Sequence, residues 1–202
     1  MEDPVDITLA TYEAAAETYV DMSGLPGSTV LGFLDRLAAL IGGGTVLEIG
    51  SGPGWDADHL ETRGLRVVRT DATRAFVERL RARGHDAQIL DARTDPLGGP
   101  YQAILADAVL LHLPRNGFED FLRRAGQAVV PDGLLGFTLK EGDGDGWSTE
   151  KVDLPRHFTY WREAAVREAL EGARWSVLAV DHVVGRSENW LHVIARSHPD
   201  EA

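Results

Sequence analysis

The segment from Gly44 to Asp56, Gly-Thr-Val-Leu-Glu-Ile-Gly-Ser-Gly-Pro-Gly-Trp-Asp, constrains the fold more than any other part of the chain. It opens with a short apolar run, interrupted only by Glu48, that is typical of a buried parallel strand. Three glycines follow at alternate positions, and glycine permits both a tight turn and a close approach of backbone to a ligand. Residues 56–60 then look like the start of a helix. Strand, glycine turn and helix together predict the first unit of a nucleotide-binding α/β fold.

Asp71 lies where such a fold places an acid. It ends the next apolar run, about 20 residues beyond the glycines, where a carboxylate commonly holds ribose hydroxyls. A dinucleotide fingerprint would need its third glycine at position 55, which is Trp55 here. In addition, the carboxylate of Glu48 beside the turn repels phosphate and suits a cationic ligand. A nicotinamide-dependent oxidoreductase is therefore the weaker alternative, and it stays open at this point.

The residues Val46-Leu-Glu-Ile-Gly-Ser-Gly-Pro-Gly54 are similar to the first motif of class I S-adenosylmethionine-dependent methyltransferases. By the order of its predicted elements, the chain resembles this family from about Leu31 to Arg196. The resemblance implies a three-layer Rossmann-like α/β sandwich. Its seven-stranded, mostly parallel sheet would have the order 3-2-1-4-5-7-6, with one antiparallel strand. We expect one domain over residues 1–202, with an N-terminal helix and lid in 1–27 and the Rossmann-like core in 28–198.

The resemblance also implies S-adenosyl-L-methionine as the cofactor. Asp91 follows the third predicted strand, at the sheet edge where ligands bind in open α/β folds, and in the family an acid at this place holds the adenine amino group. Asp107 follows the fourth predicted strand in the same way. The predicted cofactor-binding residues are Tyr19, Glu48, Gly50, Ser51, Gly52, Asp71, Asp91, Ala92 and Asp107.

Residues 7–20 are predicted to form a helix in which Tyr12 and Tyr19, seven positions apart, share one face. One interpretation is that both rings pack on the core. The other is a lid over the cofactor, which the resemblance supports, because many small members of the family cover the ligand with an N-terminal helix that carries such tyrosines. Both interpretations remain open on the sequence.

Methyl transfer from a sulfonium is a direct displacement, so the protein mainly has to hold the reactants in line. A base is needed only if the acceptor keeps its proton. His112 follows the fourth strand at the binding edge, and an ordinary histidine pKa suits proton transfer near neutrality, so it is the predicted catalytic base. The alternative for His112 is a polar residue that caps a loop. The predicted substrate-binding residues are Tyr12, His112, Trp147, Arg156, His157 and Tyr160.

Composition narrows the possible partners. The net charge of −12 argues against a nucleic-acid partner, which would need a basic surface. The chain has no cysteine and no apolar run near 18 residues, so we expect a cytoplasmic enzyme without a membrane span.

Asp143 and Asp145 alternate with glycines, but Trp147 and Leu154 stand where a calcium loop needs ligands, so we predict a mobile loop and no metal. We expect a small-molecule substrate and a monomer or homodimer. A non-catalytic module that binds S-adenosylmethionine is the second alternative.

Overall fold

In the computed structural model, which describes residues 3–185 and 187–198, the apolar runs of the sequence form one central sheet. Its strands are β1 (Thr45–Ile49), β2 (Arg66–Asp71), β3 (Ala87–Ile89), β4 (Tyr101–Ala106), β5 (Val129–Lys140), β8 (Trp175–Val184) and β9 (Asn189–Ser197), with β6 (Asp145–Ser148) and β7 (Arg156–Thr159) forming a separate pair. The spatial order of the large sheet is β3-β2-β1-β4-β5-β9-β8. Numbered without β6 and β7, this is the predicted order 3-2-1-4-5-7-6, which is confirmed.

Helices cover both faces of this sheet. They are α1 (Pro4–Ser23), α2 (Ser28–Ile41), α3 (Trp55–Thr62), α4 (Arg74–Ala82), α5 (Arg115–Ala128) and α6 (Glu163–Gly172). Alternate residues of the central strand β1 enter different cores: Leu47 and Ile49 join the residues of α5 and α6, whereas Val46 joins those of α2 and α3. Because successive strand residues point to opposite faces, this alternation produces the predicted three layers.

The strand β9 is antiparallel to both of its neighbours, β5 and β8. The predicted single antiparallel strand of the large sheet is therefore β9. Residue 186, between β8 and β9 in the sequence, lies outside the described residues. Among the helices of the described ranges, none is by itself long and apolar enough to cross a membrane. One pair, α1 with α2, passes the length and composition test jointly but is bent by 102°.

The predicted mobile loop after β5 is wrong. Residues 145–148 instead pair antiparallel with residues 156–159, forming the β6–β7 hairpin. Helix α1 packs on this hairpin: Thr11 Oγ1 donates to the carbonyl of Pro155 at 2.6 Å, and the backbone N–H of His157 donates to Thr8 Oγ1 at 2.9 Å. These contacts hold the hairpin in place, and they join positions more than 140 residues apart in the sequence. Within the described ranges, no cluster of three His, Cys, Asp or Glu side chains could hold a metal ion.

Candidate active site

A cavity of about 380 Å³ opens at the carboxyl ends of β1, β2, β3 and β4, the edge at which open α/β sheets bind ligands. Helix α1 and the segment of residues 24–27 cover it from the other side. Its walls include Thr8, Tyr12, Tyr19, Gly50, Ser51, Gly52, Asp56, Asp71, Phe76, Asp91, Ala92, Asp107, Val109, His112 and Lys151. The cavity therefore lies between the glycine turn and the N-terminal helix.

The glycine turn brings bare backbone to the cavity wall. Gly50 and Gly52 have φ values of +68° and +48°, a region that favours glycine. A Cβ on Gly50 would lie 2.4 Å from the Val109 side chain, so this position has no room for one. Around Gly52 no such obstacle lies nearer than 4.0 Å, and its backbone lines the cavity. A ligand can thus approach the main chain at Gly52 closely.

Asp71 fastens the end of β2 to this turn. Its Oδ2 accepts a hydrogen bond from the backbone N–H of Gly52, and its Oδ1 accepts one from that of Thr73, both at 2.8 Å. Burial raises the pKa of Asp71 to about 6, against the lowering effect of these two hydrogen bonds. At neutral pH Asp71 is therefore an ionised acceptor at the cavity wall.

Carboxylates concentrate at this end of the cavity. Asp56 and Asp107 both line it, and neither forms an ion pair with any residue of the described chain. Burial raises the pKa of Asp56 to about 9, with the nearby charges of Asp107 and Glu48 adding to the effect, so Asp56 keeps its proton at neutral pH and leaves the negative charge to Asp107. Negative charge without a counter-ion is costly to bury, so this acidic end of the cavity suits a cationic ligand.

Glu48 differs from the other predicted cofactor-binding residues because it does not line the cavity. Its side chain is only 2% exposed, and Oε2 has no hydrogen-bond partner among the described residues. Burial raises the pKa of Glu48 to about 7. The strand alternation that sends Leu47 and Ile49 to one face sends Glu48 to the other, beneath the turn. Its charge therefore reaches a ligand only through the surrounding protein.

Asp91 lines the cavity, but its carboxylate is already engaged. The guanidinium of Arg93 donates to Asp91 Oδ2 at 2.7 Å, and the backbone N–H of Arg93 donates to Oδ1 at 2.9 Å. These contacts lower the pKa of Asp91, although burial opposes them. The other predicted residues, Ser51 and Ala92, also lie at the cavity wall.

Helix α1 both packs on the core and covers the cavity. The rings of Tyr12 and Tyr19 lie edge to face with centroids 5.3 Å apart, and both lie about 6 Å from the ring of Phe76. All three residues line the cavity. The two interpretations of the tyrosine pair thus describe one arrangement, in which aromatic packing anchors the cover.

The predicted ordinary pKa of His112 is wrong. Its ring is buried at the cavity wall, where Nδ1 lies 2.7 Å from the carbonyl oxygen of His157 and Nε2 lies 3.0 Å from the Tyr12 hydroxyl. The carbonyl can only accept, so Nδ1 carries the proton and Nε2 accepts from Tyr12. Burial lowers the pKa of His112 to about 3, with the charge of Arg156 contributing. A neutral imidazole with both nitrogens engaged is poorly suited to act as a base.

The structure separates the predicted substrate-binding residues. Tyr12 and His112 line the cavity, and Arg156 lies behind Tyr12, with Nη1 3.4 Å from its hydroxyl. Trp147 and His157 face the other side of the hairpin, where their rings lie 5.0 Å apart and Trp147 is 49% exposed. The two residues are paired in register across β6 and β7, so they share a face.

Tyr160 lies with Trp147 in a separate surface depression, together with Glu141 and Glu188. The sequence prediction had placed Tyr160 in the acceptor pocket together with Tyr12 and His112. Asp56 and Lys151 are two of the cavity residues that it missed. Asp56 could have been recognised, since it directly follows the glycine turn, whereas Lys151 gave no signal, because only the hairpin brings it to the cavity.

The sheet order and a ligand cavity at the glycine turn together define the class I S-adenosylmethionine-dependent methyltransferase fold. A sequence model described as a methyltransferase domain matches residues 27–180. The chain therefore belongs to this methyltransferase family and is an S-adenosylmethionine-dependent methyltransferase. This membership decides against the nicotinamide-dependent oxidoreductase. No curated protein sequence matches the chain.

Several solved structures are similar over nearly the whole chain. DhpI in complex with S-adenosylhomocysteine is 25% identical, with a TM-score of 0.77 and 98% of each chain covered. Magnesium protoporphyrin IX methyltransferase from Synechocystis PCC 6803, with bound S-adenosylmethionine, is 14% identical, with a TM-score of 0.76 and 98% of each chain covered. The CcbJ methyltransferase from Streptomyces caelestis is 15% identical, with a TM-score of 0.72, covering 96% of this chain and 99% of its own.

The residues of the cavity fit S-adenosylmethionine. The open backbone at Gly52 admits a closely bound ligand, and the ionised Asp71 beside it can accept hydrogen bonds from hydroxyl groups. Asp107 supplies negative charge for a ligand that carries an ammonium and a sulfonium, and the raised pKa of Asp56 makes it a neutral carboxyl hydrogen-bonded to Asp107. The fit therefore rests on the chemistry of these donors and acceptors as well as on the fold.

Proposed function

We propose that the methyl acceptor is a small molecule that binds in the cavity beside Tyr12 and His112. The observation that carries this proposal is the cover: α1 lies across the cavity and is hydrogen-bonded to the β6–β7 hairpin through Thr8 and Thr11. A cavity of about 380 Å³ under such a cover lies within the usual range for small-molecule sites. A polymer would have to displace α1 to reach the glycine turn.

The charge of the chain supports the same proposal. A net charge of −12 repels nucleic acid, and Asp107 at the cavity strengthens that repulsion locally. The aromatic rings of Tyr12, Tyr19 and Phe76 pack together and provide apolar wall to the cavity. The site thus combines an acidic end for the cofactor with aromatic surface for an acceptor.

When bound, S-adenosylmethionine supplies a methyl group, which passes directly from its sulfonium to a nucleophile. The chain holds both reactants in line and excludes water. This positioning lowers the activation barrier, because the reactants lose no further freedom in the reaction and little solvent has to reorganise. The acidic residues attract the cationic ligand, and α1 closes the site over it. His112 keeps the Tyr12 hydroxyl in one orientation, because its Nε2 is the acceptor for that proton.

His112 removes no proton in this proposal. Its pKa of about 3 leaves almost no driving force for accepting a proton at neutral pH. The acceptor therefore presents a nucleophile that is already unprotonated or that loses its proton elsewhere.

The test is release of S-adenosylhomocysteine with a panel of small metabolites, and separately with RNA and with protein extracts. We expect turnover with one or more small molecules and its loss in Asp107→Asn, which removes charge from the acidic end. Asp181→Asn, at the exposed Arg36–Asp181 ion pair, is the matched control. Methyl transfer only to macromolecules would refute the proposal.

A further inference from the structure

Positive charge also lies at the cavity wall. Lys151, in the segment between β6 and β7, lines the cavity, and its Nζ lies 4.0 Å from the ring centroid of Tyr19. Although the residue as a whole is exposed, its ammonium is held against this ring. Neither an acidic side chain nor a hydrogen-bond partner contacts that ammonium in the part of the chain that is described.

Arg156 is a second cation without a counter-ion. The residue is only 7% exposed, and its guanidinium lies against Tyr12 and Phe158. Nη2 donates to the carbonyl of Glu150 at 2.5 Å and Nη1 lies 3.4 Å from the Tyr12 hydroxyl, whereas Nε has no partner among the described residues. No carboxylate of the described chain forms an ion pair with it. The cost of burying this guanidinium is therefore only partly offset, because it has no carboxylate partner and one N–H without an acceptor.

Lys140 adds a third positive charge close by. Its Nζ lies 3.4 Å from the ring centroid of Phe158, the same ring that Arg156 contacts, but Lys140 is paired with Glu188 at 2.5 Å. Burial lowers the pKa of Lys151 to about 8, and the charges of Arg156 and Lys140 lower it further in the same direction. The three cations therefore repel one another, and one carboxylate balances only part of their charge.

We propose that the acceptor carries an oxyanion, a carboxylate or a phosphonate or phosphate group, and that Lys151 and Arg156 form its binding subsite. This inference rests on the small-molecule acceptor proposed above. Lys151 contacts the anion at the cavity wall, and Arg156 supplies charge from behind Tyr12. The site then carries both signs of charge: Asp107 attracts the cationic cofactor, and Lys151 and Arg156 attract the anionic acceptor.

The test is binding of three probes of similar size to the full chain saturated with S-adenosylhomocysteine: benzoate, phenylphosphonate and the neutral benzyl alcohol. The phenyl group suits the aromatic wall, and the two anions distinguish carboxylate from phosphonate recognition. Calorimetry should show at least one anion bound about tenfold or more tightly than benzyl alcohol, the usual scale for a charge-assisted contact. Equal or weaker binding of both anions would overturn the inference.

Substitutions of Lys151 and Arg156 test whether these two residues bind the anion. Lys151→Met should weaken the preferred anion about tenfold while Lys151→Arg retains it, and Arg156→Met should weaken it similarly. Unchanged affinity for S-adenosylhomocysteine would show that each variant is folded. The control is Arg36→Met, an exposed cation far along the chain, which should change nothing. Anion binding that survives Lys151→Met would refute the assignment.

The two proposals can fail separately. If the enzyme methylates neutral small molecules as readily as anionic ones, the small-molecule proposal stands and the anion subsite is wrong. If the enzyme methylates only macromolecules while the probes bind as expected, the anion subsite stands and the small-molecule proposal is wrong.

Discussion

Glu48 offers a quantitative test of the buried charge beneath the glycine turn, because its carboxyl group is buried and its pKa is raised from 4.5 to about 7. Between these two values the folded protein keeps the proton that the unfolded chain has lost. The contribution of Glu48 to the free energy of unfolding is therefore fully favourable below about pH 4.5 and is lost as the pH rises to about 7. Glu48→Gln removes this dependence while keeping the shape of the side chain.

The expected size follows from the raised pKa. From about pH 5.5 to about pH 7 the wild-type protein loses roughly 1.4 kcal/mol per pH unit from Glu48, or about 2 kcal/mol in total. The stability of Glu48→Gln relative to wild type should thus increase by about 2 kcal/mol between pH 5.5 and pH 8. For a chain of this length that is a relative shift of roughly 4–8 °C in the midpoint of thermal unfolding.

The measurement is urea unfolding of both proteins at the two pH values, without cofactor. Taking the difference between variant and wild type cancels the other titrating groups, His112 included. Glu168→Gln, on an exposed position of α6, is the matched control and should give the same difference at both pH values. A difference for Glu48→Gln that does not grow with pH would refute the argument that a buried, uncompensated carboxylate lies under the glycine turn.

Three further outcomes are expected. Asp71→Asn should weaken S-adenosylhomocysteine binding about 10- to 100-fold in calorimetry, because a charged acceptor is lost; unchanged affinity would remove Asp71 from the cofactor site. Tyr12→Phe should lower the free energy of unfolding by about 1–3 kcal/mol, since Nε2 of His112 loses its partner; equal stability in urea would contradict that hydrogen bond. The pH profile of turnover should contain no limb near pH 6.5 that His112→Gln abolishes, because the pKa of His112 is about 3; such a limb would restore its role as a base.

The sequence by itself determined the architecture. The strand order of the sheet was correct, because it followed from the family that the glycine motif indicates. It also determined one wall of the site, because the glycine turn and Asp71 lie at the ends of two neighbouring strands. Strand periodicity and turn residues are local properties, so they can be read without knowing which distant segments meet.

Only the tertiary structure decided the chemistry of the opposite wall. His112 has an altered pKa because Tyr12, 100 residues earlier, and His157, 45 residues later, enclose it. The hairpin that replaces the predicted loop turns Trp147 and His157 away and brings Lys151 to the cavity. Desolvation and charge pairing depend on which groups of distant segments come within a few ångströms, and no local pattern of residues records that distance.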